Sequence, residues 1–434
     1  MIRNNVSKWA HPGLAFFVFS TLAVLVWLAM PQEVFARWNI PVRSSFVPVA
    51  VAWVASSVVF LLGWAAEIVF ARHRCVPASA SADRRSARTV VWTIALVSTA
   101  AFVLLTAMVF ATHGAAGLAN PKIYRDGGIG GITTLVLLAP CPLVIWFALR
   151  LKRVRLRGFG IPVVLSTAVM TAHVHLASAR LSLLLAVIAC AVIYWVHRMQ
   201  TGRRLPWSAV IATSVAVVVV FAFFEYFRTF RSKQEHGFET GGAAGYGLER
   251  LGMYVATAVN NGGVLYRSRM ADEYSRPVFT QTAGPLGEVL YGAAGLEPLY
   301  AVPNPGGGIL AELEANREFN PEFNNCWGLA GPWLEGPVSG VAFFFVWGAV
   351  ASWSFRRMRA RTGVYELLIY GYVYGGIVDT SMRVASLGSS YLMLPIGVMA
   401  VVSLVQRRAR TAPLEVRESG PYRTPRTGHA GSAG

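Results

Sequence analysis

The residues with the clearest chemical capacity are arginines and carboxylates that stand beside apolar runs. Arg180 closes the short link "ASAR". Arg228 and Arg231 open the long polar stretch that begins "FRTFR". Arg317 lies in an acidic segment, and Arg383 in a short link between two late apolar runs. A guanidinium is a planar fork that binds phosphate through two parallel charge-assisted bonds. The competing reading is that these side chains snorkel to a membrane interface or pair with nearby acids. Glu318, Glu322 and Glu335 lie close in sequence to the start of the apolar run near Leu329. A carboxylate there could serve as a general base or simply balance the arginines. His173 and His175 suit the lining of a polar cavity. They lack a third ligand that would make a metal site, and no cofactor is implied.

The elements that position these residues follow from composition. Apolar residues make up 55% of the 434 residues and charged ones 14%, where a soluble chain carries about a quarter charged. Apolar runs recur that are long enough to cross roughly 30 Å of hydrocarbon as helix. The alternation of a membrane β-barrel is absent. The expected fold is an all-α polytopic membrane protein with about ten transmembrane helices. The net charge of +18 sits mostly in short loops between runs. That is the pattern of membrane orientation, not of a nucleic-acid-binding stripe.

Spans are expected at about 13–30, 46–70, 89–111, 131–149, 159–176, 181–196, 206–226, 329–355, 363–378 and 386–405. Pro140 and Pro142 should kink the fourth, and Glu67 reads as a helix-end residue that snorkels. Residues 1–226 thus hold helices one to seven, and 227–327 form a large extracytoplasmic loop. Residues 328–405 hold helices eight to ten, and 406–434 form a basic, Gly/Pro-rich disordered tail. Within the loop, Leu248, Leu251, Val255 and Val259 follow helical spacing, as do Leu286, Val289, Leu290 and Ala293. Both segments are expected to lie as amphipathic helices on the membrane surface.

The strongly basic links "ARHRCVPASASADRRSAR", "RLKRVRLR", "HRMQTGRR" and "RRMRAR" all fall on one side of such a topology. By the positive-inside rule that side is the cytoplasm. Both termini are then cytoplasmic, and the long loop is outside. Of the four cysteines only Cys326 faces outside, so no external disulfide is available to it within the chain.

Three segments resemble the bacterial Wzy-type polymerases that join oligosaccharide repeat units, related in layout to O-antigen ligases. They are "SARLSLLLAVIACAVIYWV", "FEYFRTFR" and "EFNNCWGLAGPWLEGPVSG". In the third, Glu322, Asn324, Trp333, Glu335, Gly336 and Gly340 match the family's pattern, with Trp333 and Glu335 standing where Tyr and Asp are expected. The resemblance implies a glycosyltransferase of the bacterial plasma membrane that acts in surface polysaccharide biosynthesis. A glycan on polyprenyl (undecaprenyl) pyrophosphate is transferred to the sugar end of a second lipid-linked unit, outside the membrane. Catalysis falls to Glu322 and Glu335. Substrate binding falls to Arg180, Arg228, Arg231, Arg317, Asn324, Trp333 and Arg383. Partners implied are the lipid-linked donor and acceptor, membrane lipid, a flippase and a chain-length regulator; nucleic acid is not among them.

Alternatives remain open at this point. A ligase that transfers finished glycan uses the same chemistry. A transferase using a lipid-phosphate sugar resembles enzymes with an acidic pair in the first outer loop, where this chain offers Glu33. A flippase needs charges deep in several spans. A non-catalytic assembly protein needs none of these residues.

Overall fold

The computed structural model describes residues 11–40, 43–70, 84–126, 130–154, 156–177, 181–202, 242–270, 327–334, 336–360, 363–383 and 390–411, with six scattered helical residues between 208 and 219. Among them the chain forms fourteen helices and no strand. In chain order these are α1 (Pro12–Ala29), α2 (Gln32–Arg37), α3 (Phe46–Phe70), α4 (Arg84–Ala119), α5 (Pro121–Asp126), α6 (Gly130–Val136) and α7 (Cys141–Leu151). Then come α8 (Gly160–Ala177), α9 (Leu181–Gln200), α10 (Gly242–Met270), α11 (Gly331–Leu334), α12 (Pro337–Ala360), α13 (Val364–Met382) and α14 (Ser390–Thr411).

Seven stretches are long and apolar enough to cross a membrane: α1, α3, α4, α6 with α7, α8, α9 and α12. The chain is therefore an all-α, multi-pass membrane protein. The apolar part of α14 is shorter, Tyr391–Val405. In α13, tyrosines and glycines replace aliphatic residues, and the helix is enclosed by protein along residues 364–377. A helix that meets protein on all sides need not be apolar toward lipid. The stretch 206–226 lies mostly outside the described residues.

Boundaries follow local chemistry. Pro12 stands at the first turn of α1, where its missing N–H costs nothing. The expected kink between α6 and α7 is a turn over 137–140, with Cys141 N–H bonded to Leu138 O at 2.9 Å. The third span runs past its expected end at Ala111 to Ala119, kinked at Gly114, whose φ is 62°. At the C-terminal end, α14 continues to Thr411. Residues 406–411, expected in the disordered tail, are therefore helical; the remainder of the tail is outside the described residues.

Contacts fix relative helix directions. His11 meets Trp64, and Phe16 stacks on Phe60 at 4.2 Å between ring centroids, so α1 and α3 are antiparallel. Ser56 of α3 bonds Trp333, just before α12, while Glu67 bonds Ser352, so α3 and α12 run parallel. Phe355 lies 5.5 Å from Tyr370, and Trp347 lies against Gly376, so α12 and α13 are antiparallel. These senses agree with the order of spans expected from the basic loops.

The tightest crossing joins α3 to α12. A Cβ on Gly63 would overlap the carbonyl of Phe345, and one on Gly348 would overlap the carbonyl of Phe60. Within a bilayer, close backbone approach replaces the hydrophobic force that water supplies elsewhere. Gly63→Ala and Gly348→Ala should each cost about 1–3 kcal/mol. Thermal melting of the purified protein in detergent should fall by several degrees in each variant. Unchanged melting in both would show that this crossing tolerates more room than its geometry implies.

Candidate functional site

The region worth building is the end of the bundle where α10 packs. α10 is not the expected surface helix. Leu248, assigned to its apolar face, is 55% exposed, whereas Arg250 is 2% exposed. Tyr246, Met253, Ala256, Thr257, Asn260 and Asn261 are buried with it. The helix lies against α1, α3, α11 and α13. Its buried face is mixed: Val255, Val259 and Leu265 go inward beside these polar groups, which meet polar partners. Asn260 Oδ1 accepts the Ser44 backbone N–H at 2.8 Å and the Trp27 indole N–H at 3.4 Å. Glu249 accepts the Trp38 indole N–H at 2.6 Å and pairs with Arg37 at 3.3 Å.

Arg250 is enclosed by aromatic faces. Its guanidinium carbon lies 5.4 Å from Trp38, 5.8 Å from Tyr246 and 5.5 Å from Tyr254, measured to ring centroids. It also donates to Tyr246 Oη at 3.0 Å. The electron-rich faces of aromatic rings offset the loss of water around a cation. Sequence reading passed over Arg250, although the signal was present: tyrosines four residues away on each side, on the same helical face.

Beneath α10 the segment 327–334 plugs the bundle. Trp327 is fully buried. Its backbone N–H bonds Ala258 O at 3.0 Å, and its indole N–H bonds Ser381 O at 2.9 Å. Trp333 donates to Ser56 Oγ at 2.8 Å, and Ser56 passes a bond to Leu329 O at 2.9 Å. The Trp333 ring covers Gly340, where a Cβ would strike it, and it stacks near Phe344. The Trp333-to-Gly340 spacing noted in the sequence therefore serves packing, and the polar atom of Trp333 is engaged. Ser56 lies ten residues along α3 from Phe46, about 15 Å at helical rise. The plug, and the C-terminus of α13 bonded to it, are thus recessed below the end of α3.

Arg383 emerges at that recessed end. Its Nε–H donates to Asp379 Oδ1 at 3.0 Å; the two side chains are 30% and 10% exposed. Burial alone would lower the Arg383 pKa, but the Asp379 carboxylate and the nearby Tyr254 and Tyr391 carry it above its ordinary value. Tyr254 belongs to α10 and Tyr391 to α14. Arg383 therefore stands at the end of α13 within electrostatic reach of α10 and α14, and the Tyr254 ring also lies 5.5 Å from the Arg250 guanidinium.

The opposite end of the bundle is built differently. Arg356 is spent on Glu67 through Nε, at 2.7 Å, and through Nη2; Ser352 also donates to Glu67 at 2.7 Å. Glu67 does not snorkel but joins α3 to α12. The next residue, Arg357, reaches Glu366 at 3.8 Å and Ser403 at 3.2 Å, and Ser403 donates to Glu366 at 3.0 Å. Burial lowers the Lys152 pKa there, against Glu366, which raises it.

Of the residues expected to act, Trp333 and Arg383 are described. Arg180, Arg228, Arg231, Arg317, Glu322, Asn324 and Glu335 lie outside the described residues, as does Cys326. His173 is buried beside Tyr124, at 6.2 Å between rings, and its Nδ1 has no hydrogen-bond partner; His175 is exposed. Among the described residues no group of three or more His, Cys, Asp or Glu is placed to hold a metal.

Trp327→Phe keeps the ring but strands the Ser381 carbonyl. It should cost about 1–3 kcal/mol, read as a lower melting temperature in detergent; equal melting would mean that the plug is not anchored through this bond. Comparisons with protein-family models, with curated proteins and with solved structures found no match, so the chemistry of this end of the bundle is read from its residues.

Proposed function

We propose that this chain is a bacterial plasma-membrane glycosyltransferase that polymerises polyprenyl-pyrophosphate-linked oligosaccharide repeat units. In this reading the chain crosses ten times, as α1, α3, α4, α6 with α7, α8, α9, the stretch 206–226, α12, α13 and α14. Both termini are cytoplasmic, and the α10 end faces outward within the region 227–327. The observation that carries the reading is the recessed Arg383, incompletely used by Asp379 and open to solvent at 30%. An ionisable group inside a membrane bundle marks a functional site by default.

The chemistry follows from charge. A sugar hydroxyl of the acceptor attacks the anomeric carbon of the donor. The bond from that carbon to pyrophosphate oxygen breaks, and negative charge grows on the leaving polyprenyl pyrophosphate. Fixed cations aimed at that charge lower the barrier most when they are preorganised away from bulk water. Arg383 supplies one such cation, joined by Arg180, Arg228, Arg231 and Arg317, with Asn324 and Trp333 completing the substrate-binding set. The hydroxyl proton passes to a carboxylate, for which Glu322 and Glu335 are the candidates.

Two experiments test this reading. On a cysteine-free background, single cysteines at Ser79 and Gly202 should be shielded from impermeant thiol reagents in intact cells, and cysteines at Gly117 and Gly242 should react; the reverse pattern at Gly202 and Gly242 would remove the ten-span topology. Arg383→Lys keeps the charge but loses the fork. It should reach the membrane at normal levels and polymerise lipid-linked units on the order of 10²-fold more slowly, leaving single repeat units in place of polymer. Normal polymer would show that Arg383 serves only as an interfacial cation.

A further inference from the structure

We propose that Asp379 is a positioning residue that grips Arg383 from one side and so turns the free end of its guanidinium toward an anion in the recess between α10, α13 and α14. The assignment of that anion as the pyrophosphate of a glycan donor rests on the reading above; the existence of the anion seat does not.

The comparison between the two ends of the bundle carries the inference. An arginine offers five N–H donors and can meet a carboxylate side-on, through Nε and one terminal nitrogen, or end-on, through both terminal nitrogens. Arg356 meets Glu67 side-on, with both contacts made. Arg383 gives Asp379 its Nε alone, at 3.0 Å. Among the described residues its terminal nitrogens have no hydrogen-bond partner, so the difference between the two pairs lies in the contacts made and not in exposure, which is similar in both. The one-sided contact leaves the terminal nitrogens of Arg383 accessible to an incoming group.

The grip is also rigid. Asp379 and Arg383 are four residues apart at the end of α13, and the Arg383 backbone N–H bonds Asp379 O at 2.8 Å. The preceding turn is pinned by the Trp327 indole on Ser381 O. A second cation lies on the α10 side of the recess. Arg250 lies 5.5 Å from the Tyr254 ring, so a second positive charge backs the tyrosine that faces Arg383.

The test is titration of inorganic pyrophosphate into the purified full-length protein in detergent, followed by calorimetry. The wild type should bind. Asp379→Asn and Arg383→Lys should each weaken binding on the order of tenfold or more, and the double variant should lose no more than the weaker single variant, because both remove one geometric unit. Asp379→Glu should restore part of the affinity. Wild-type affinity in Asp379→Asn, or losses that add in the double variant, would overturn the positioning role. If Asp379→Asn does not fold, Arg383→Lys decides: retained binding would show that the oriented fork is not what holds the anion. Wild-type protein that does not bind pyrophosphate removes the seat even if membranes make polymer. The expected binding pattern in a protein that makes no polymer from lipid-linked units keeps the seat and removes the glycosyl-transfer reading.

Discussion

The enclosure of α13 is the constraint on which the rest of the bundle depends. Residues 364–377 are buried without a break, four tyrosines among them. In lipid, helices gain little from hiding apolar surface from one another, so association relies on close packing and internal hydrogen bonds. Tyrosines bring about 150–250 Å² of surface each and a hydroxyl that needs a partner. Such a helix is stable only if neighbours surround it, and α1, α7, α9, α12 and α14 do so. Each end must also be tied. At one end Glu366 is held by Arg357 and Ser403; at the other, the Ser381 carbonyl is held by Trp327.

A rod tied at both ends gives the residues at its tip a fixed address. Asp379 and Arg383 inherit their position from the packing of the whole of α13. The plug 327–334 transmits the same constraint sideways. Trp327 joins α10 to α13, and Trp333 with Ser56 joins the plug to α3. Three separate parts of the sequence, near residues 56, 258 and 381, are thereby locked to one short segment. This arrangement suits a site that must hold charge in a set direction without reorganising.

Much of the scaffold was legible in the sequence because apolar run length is a strong signal in a membrane protein. The second span, expected at 46–70, coincides with α3, and the proline-marked break between α6 and α7 lies where it was expected. What could not be read depended on partners distant in sequence. Glu67 looked like a snorkelling helix end because nothing near it reveals Arg356, 289 residues away. The face of α10 was read in part: Val255 and Val259, expected on its apolar face, are buried, but polar residues share that burial. Here Arg250 and Asn260 go inward, and Leu248 goes out. Apolar periodicity identifies a buried face only where the neighbouring surface is apolar too. Around α10 the neighbours are the indoles of Trp27 and Trp38 and the Ser44 backbone N–H, which ask for acceptors. Arg383 stood out in the sequence from its place in a short link, whereas Asp379, which it contacts, read only as the end of a span.

The geometry also bears on the plainest competing account of Arg383, that it is an arginine reaching for the membrane surface. A snorkelling side chain extends along its long aliphatic stem until its head finds water. Arg383 instead bends back to a residue four positions earlier, and the carboxylate it meets is only 10% exposed. With 30% of its side chain open, the guanidinium keeps donors that its contact with Asp379 does not use. The far end of the bundle shows the alternative within the same molecule: Arg356 meets Glu67 through both Nε and Nη2, as expected of a charge whose role is to join two helices. The same residue type at the two ends thus answers two different physical demands, and the unsatisfied one lies where α10, α13 and α14 converge.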